Sequence, residues 1–309
     1  MAGVLVAIGA YFLSALTTVI DKFLLKRAIP SALVYGFYMG ILSIFALPLI
    51  IFDLSFPGFS GLILDLFCGF VFLLASIVLF EALRRGQASS VAPVVGAFGP
   101  LVIFSLNLFI YKGGFDVSQV IACAFLVLGS VLVSGKHNSG EKNKKSRLKF
   151  FGFSKSFWLA VLAGFLFGGF YVMIDHVYAS QSFISAFVFF RLGSFLAALA
   201  LVFWSGNREL IFKNASAIKR PAAGLFVLNK VIAGVAFIFL NWAIYLTGAL
   251  VVNSLQGAQY VFLFGFMLVV SGFFPKILKE KLDARMVALK SAGIVLIATG
   301  IASLFGLMK

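Results

Sequence analysis

The sequence predicts an all-α integral membrane protein, with ten transmembrane helices arranged as two inverted five-helix repeats. Three observations predict it. The 309 residues are 62% hydrophobic and 11% charged, with a mean hydropathy of +1.11, and no fold in water hides that much apolar surface. Lys and Arg gather in every second connection between apolar runs. Short motifs of the first half return in the same order in the second.

Apolar runs of about 18 or more residues can cross a hydrocarbon core about 30 Å thick. They fall at roughly 3–20, 31–52, 61–83, 88–111, 117–135, 157–175, 183–204, 222–246, 248–274 and 286–306. The first lacks a basic leader and a convincing cleavage site, so a retained helix is expected there rather than a signal peptide. The longest polar stretch is the basic loop Lys136–Lys155. It divides the chain into a first repeat, 1–135, a loop, 136–156, and a second repeat, 157–309. Within the fourth run, Gln87 to Pro100 holds Pro93, Pro100, Gly96 and Gly99. Pro93 falls in the first turns, where a missing donor costs little; Pro100 is expected to bend the helix, and the glycines to admit a close neighbour.

The odd-numbered connections carry twenty Lys and Arg, from Lys22, Lys26 and Arg27 to Lys276, Lys279, Lys281 and Arg285. The other side carries Lys112 and Lys309. The positive-inside rule places the odd connections in the cytoplasm and both termini outside, with the cytoplasmic membrane as the expected location. The net charge of +15 therefore serves membrane orientation, and no nucleic-acid partner is expected. Cys68 and Cys123 both lie in apolar runs, too few and too isolated for a disulfide framework or metal site. No HExxH, P-loop or CxxC cluster occurs, so no cofactor, no metal and no enzymatic activity are expected. His137 and His176 read as solvated.

Helix one closes on Val19-Ile20-Asp21-Lys22 and helix six on Met173-Ile174-Asp175-His176, an offset of 154. Gly96-Ala97 recurs as Gly257-Ala258 at an offset of 161, and Gly129 with Gly135 as Gly300 with Gly306 at 171. A shared order with a drifting offset is what duplication followed by loop insertion leaves. Five is odd, so the second repeat enters the membrane from the opposite side, the architecture of many secondary transporters with a midplane site.

The chain resembles the EamA-type transporters of the drug/metabolite transporter superfamily. The resemblance is carried by Phe80-Glu81-Ala82-Leu83 running into Gly86-Gln87-Ala88-Ser89-Ser90-Val91-Ala92-Pro93, by Phe190-Arg191-Leu192-Gly193, and by Gly293 with Gly300. It implies a ten-helix carrier of small metabolites working by alternating access. Two departures stand out: relatives often keep both termini inside, and many have Gly-Glu where this chain has Gly113-Gly114-Phe115-Asp116. Lys279-Glu280-Lys281-Leu282 stands near the comparable place in the second half.

Ionisable groups at membrane depth are costly, and they mark a protein interior or an aqueous cavity. Glu81 reads as a rim partner of Arg84 and Arg85, Asp65 as wetted near a helix end, and Lys290 as reaching to the interface. Arg191 and Lys230 are deeper, about 12 and 15 Å from their helix ends at 1.5 Å per residue. Each is either a structural cation or a centre for an anionic group of the substrate. Asn253, Gln256, Gln259 and Tyr260 share one face of helix nine, where helix four has Ala92, Val95, Phe98 and Gly99. Trp242, Tyr11 and Tyr171 complete the candidate substrate site; Trp242 and Tyr245 also suit an interfacial belt, and Asn107 is a lesser candidate. No clearly deep carboxylate is expected, which counts against a proton-coupled cation antiport. The expected function is secondary transport of a small polar or anionic metabolite through the lipid bilayer. A homodimer is compatible with it; flippase and non-transporting scaffold are the rivals.

Overall fold

The computed structural model describes residues 2–29, 31–111, 117–134, 154–247, 252, 255–273 and 284–306. They form eleven α-helices and one 3-10 segment, with no strand among the described residues. In chain order the helices are α1 (Ala2–Arg27), α2 (Ala32–Leu42), α3 (Gly58–Arg85), α4 (Ala88–Tyr111), α5 (Val117–Ser134), α6 (Lys155–Ser180), α7 (Phe183–Leu201), α8 (Ser205–Ala217), α9 (Arg220–Thr247), α10 (Gly257–Phe273) and α11 (Ala284–Gly306). Seven spans among the described residues are long and apolar enough to cross a membrane, and Ala88–Gly99, Val120–Val133 and Gly257–Phe273 are shorter apolar helical stretches.

Serines start several helices. The side chains of Ser31, Ser154 and Ser182 accept hydrogen bonds from the backbone N–H of Val34, Phe157 and Ser185, satisfying donors that a helix N-terminus leaves open. Beyond Leu42 the second span tightens into a 3-10 helix, Ser43–Ile51, which contains Pro48. Proline has no N–H to continue the α-helical ladder. Its neighbour α3 starts at Gly58, whose φ of 75° is a conformation that favours glycine. At the other end of α3 the Gly86 N–H closes the helix on the Ala82 carbonyl at 2.8 Å.

The main pairings are α5 with α11, α1 with α9 and α10, α6 with α3 and α4, and α7 with α3. Without a hydrophobic driving force between helices in lipid, close approach depends on small residues. A Cβ on Gly129 would lie 2.7 Å from the Gly293 carbonyl oxygen, and one on Gly293 2.8 Å from that of Gly129. Gly164 packs the same way against Phe98 and the Val95 carbonyl, and Gly168 against Val102 and the Gly99 carbonyl. Gly69 and Gly193 bring α3 and α7 together: a Cβ on either would run into the other helix's backbone.

One element lies outside every apolar run. The connection after α7 contains α8, a helix that buries Ile211 and exposes Phe212, while Phe203 and Trp204 before it are 90% and 70% exposed. Exposed aromatics at the start of a short helix suit a membrane interface. Its polar composition escapes a search for apolar runs.

Candidate functional site

Three groups of side chains stand out, one near each end of the helices and one between.

The first lies on the side that carries the basic connections. Asp21, on α1, is its centre. Its Oδ1 accepts from Lys230 Nζ at 2.8 Å, from Asn229 Nδ2 at 2.6 Å and from the Tyr35 hydroxyl. Lys230 also sits over the rings of Tyr35, Phe80 and Phe226, at 4.7, 4.8 and 5.6 Å from their centroids. The pair is 9% and 13% exposed. Lys230 is therefore not an isolated cation: a carboxylate neutralises it and three aromatic faces cover it. Asp21 was visible in the sequence only as part of the repeated Ile-Asp pair. That repetition inside an apolar run was the signal that could have nominated it. Nearby, Lys22 donates to the carbonyls of Leu83 and Gly86, tying the end of α1 to the end of α3.

Two expectations about charge are corrected here. Lys290 does not reach to the interface. It is 1% exposed and donates to Gln87 Oε1 at 2.6 Å and Ser89 Oγ at 2.5 Å, because the start of α4 presents both acceptors to α11. Asp65 is not wetted but fully buried, at 0% exposure. Its distance along α3 to the helix end is short, yet the α6–α7 turn covers it and supplies Gln181 Nε2, which donates to Asp65 Oδ1 at 3.1 Å. Glu81 behaves as the spacing predicts, pairing with Arg84 at 2.7 Å and with Arg85.

The middle group contains Arg191. Its guanidinium carbon lies 5.0 to 5.3 Å from the ring centroids of Phe72, Phe187, Phe190 and Phe237. These rings belong to α3, α7 and α9, and their negative faces stabilise a cation that has left water. Among the described residues the guanidinium has no hydrogen-bond or ion-pair partner, although it carries five N–H donors. From Phe72 the aromatic lining continues through Phe167 (6.0 Å between centroids) to Tyr171 (6.5 Å). Tyr171 is 41% exposed.

Tyr11 and Tyr260 stand near enough to Tyr171 to interact with it electrostatically. Tyr11 is 3% exposed and donates to the Val252 carbonyl at 2.9 Å. Tyr260 is 2% exposed, its hydroxyl has no partner among the described residues, and it occupies the space above Gly96 of α4. Tyr11, Tyr171 and Tyr260 come from α1, α6 and α10 and lie within electrostatic range of one another. Gln256 and Gln259, at the start of α10, are half-buried. Trp242 does not join them; it is 52% exposed near the far end of α9. Asn253, Gly113–Asp116, Lys279–Leu282 and the side chains of Asn107, Asp175 and Tyr245 lie outside the described residues. No cluster of His, Cys, Asp and Glu suited to a metal occurs among the described residues.

A separate apolar cavity of about 250 Å³ lies between α2 and α9 on the basic side, lined by Ile29, Tyr38, Ile41, Leu42, Ile218, Ala223, Phe226 and Val227.

No curated protein matches the sequence. Several solved structures match; one, a crystal structure, matches along 100% of this chain and 97% of its own, with a TM-score of 0.57 and 16% identity, a likeness of fold alone. Residues 1–135, which span α1 to α5, match the EamA-like transporter family. With its long apolar helices the chain is an integral multi-pass membrane protein, and its first 135 residues are similar to the EamA-like transporter family.

Proposed function

We propose that the protein is a secondary transporter for a small metabolite bearing an anionic group, working by alternating access between two inverted five-helix repeats. The observation that carries this is Arg191: a half-buried guanidinium, held by four phenyl faces, with its donors uncommitted among the described residues. A carboxylate or phosphate would meet those donors bidentately. Tyr171, Tyr11 and Tyr260 would contact the remainder of the substrate, with Gln256 and Gln259 at the same end of α10.

The pattern of packing supports the two-repeat reading. Exchange each helix for its counterpart five spans later, and α1 with α9 becomes α6 with α3, α1 with α10 becomes α6 with α4, and α5 with α11 maps onto itself; all are main contacts. Among these main pairings one breaks the rule. The glycine-lined contact of α3 with α7 has α9 with α2 as its counterpart, and there a cavity stands instead. A transporter caught with one face closed and the other loosened has this asymmetry. In this reading the basic connections and the loosened face are cytoplasmic, and both termini are outside.

Proteoliposomes provide the test, by counterflow of labelled carboxylates, phosphates, amino acids and sugars. Wild-type protein should exchange an anionic member of the panel, and Arg191→Ala should weaken its binding at least tenfold, the loss of one charged hydrogen-bonding partner. Exchange confined to neutral solutes and unaffected by Arg191→Ala would remove the proposal. The apolar cavity between α2 and α9 favours one rival, a flippase for a lipid-linked sugar or phospholipid, whose tail would need a side entrance. Movement of a labelled lipid between leaflets distinguishes it.

A further inference from the structure

The mechanism above makes no use of Asp65, a fully buried carboxyl group at the closed face. Its surroundings leave a particular set of atoms unmatched. Gln181 Nε2 donates to Asp65 Oδ1 at 3.1 Å. Asp65 Oδ2 and Gln181 Oε1, the other atom of each group, have no hydrogen-bond partner. Both are acceptors if Asp65 is ionised, so neither can satisfy the other. One proton on Oδ2 changes that: a carboxylic acid and a primary amide join through two antiparallel hydrogen bonds, N–H to the acid carbonyl and O–H to the amide carbonyl. An ionised carboxylate here would instead stand out of water with one hydrogen bond and no cation paired to it, the arrangement burial penalises most.

We propose that Asp65 is a proton-binding site whose proton is shared with Gln181, and that this acid–amide pair latches α3 to the α6–α7 turn. The reaction is a simple protonation: water supplies the proton to the carboxylate, and its release restores the anion and opens one of the two hydrogen bonds. The location suits a latch. Gln181 lies between α6 and α7, and a second tie beside it runs from the Ser55 N–H to Ser185 Oγ at 2.8 Å. The groups facing Asp65 among the described residues are few. Cys68 comes from its own helix and Tyr178 from α6, both near enough to feel its charge, and Arg191 of α7 lies beyond Tyr178. Asp53 and His176 are at the exposed surface on that side. Ionisation would thus place a negative charge within electrostatic range of Tyr178, which also feels the cation assigned to the substrate, and through it the two sites would influence each other's occupancy. That last step rests on the transport reading; the proton site does not.

Infrared difference spectroscopy of the protein in lipid nanodiscs, recorded across a pH series, tests the site without any substrate. The wild type should show the carbonyl band of a protonated carboxylic acid that disappears as pH rises. Asp65→Asn, whose amide can keep both hydrogen bonds to Gln181, should fold and lose the band. Gln181→Leu should keep the band but move it to higher wavenumber, as an acid without its amide partner would. An unchanged band in both variants overturns the proposal, even if Asp65→Asn alone proves unstable. In proteoliposomes, a proton gradient should drive accumulation of whichever solute the wild type exchanges, while Asp65→Asn exchanges it without accumulating it. Gradient-driven accumulation that persists in Asp65→Asn would overturn the coupling role. A titrating Asp65 in a protein that exchanges nothing would overturn the transport reading and leave the proton site standing.

Discussion

The Asp21–Lys230 pair allows a prediction with unequal arms. Asp21→Ala removes the acceptor shared by Lys230, Asn229 and Tyr35. The lysine keeps its three aromatic faces and Asn229 keeps a second acceptor, the Thr17 carbonyl, but the Tyr35 hydroxyl loses its acceptor. Breaking a buried ion pair by deleting one partner costs about 3–5 kcal/mol, and a stranded donor about 1–3 kcal/mol. The aromatic faces offset roughly 2 kcal/mol of this, so about 4 kcal/mol is expected, close to a thousandfold change in the folded-to-unfolded ratio. Lys230→Met leaves Asp21 with two hydrogen bonds and the option of taking up a proton; about 2 kcal/mol is expected. The double variant, Asp21→Ala with Lys230→Met, should cost less than the sum of the single variants, because it removes both charges together. Thermal or denaturant melting of purified protein in one detergent, completed as a double-mutant cycle, measures all three. Additive losses would mean that the two charges do not stabilise each other, and the reasoning would fail at its first step.

Other sites give simpler outcomes. Gly69→Ala should destabilise the protein by about 2 kcal/mol or more in the same melting assay, since a Cβ there meets the backbone of α7 rather than a movable side chain. Gly96→Ala collides first with the Tyr260 hydroxyl; a loss of about 1–3 kcal/mol is expected, and adding Tyr260→Phe should recover part of it. Tyr11→Phe removes one buried hydrogen bond to the Val252 carbonyl and should cost about 1 kcal/mol.

Hydropathy made the membrane class legible, because apolar runs and their basic punctuation are properties of the chain itself. It also nominated Arg191 and Lys230 as cations within apolar helices. What it could not supply was partners. Lys230 is answered by Asp21, 209 positions away, and no pattern in either segment announces the pairing. Asp65 and Lys290 were misjudged for one shared reason: distance along a helix to its end was taken as distance to water. Asp65 is covered by a turn joining two other helices, and Lys290 by the start of α4. Composition and face nominate the tyrosines, but only the fold shows Tyr11, Tyr171 and Tyr260 within electrostatic range of one another while Trp242 is 52% exposed. Helix α8 was lost because a short polar helix at a surface has the composition of a loop.

The seam between α5 and α11 has a kinematic consequence. Gly129 and Gly293 each face the other's carbonyl, and Gly300 faces that of Ala122, at separations that exclude a methyl group. Sliding either helix by one residue would drive a side chain into that backbone. The seam joins the first half of the chain to the second, so it can serve as an axle but not as a rail. Relative motion of the two halves is restricted to pivoting about it.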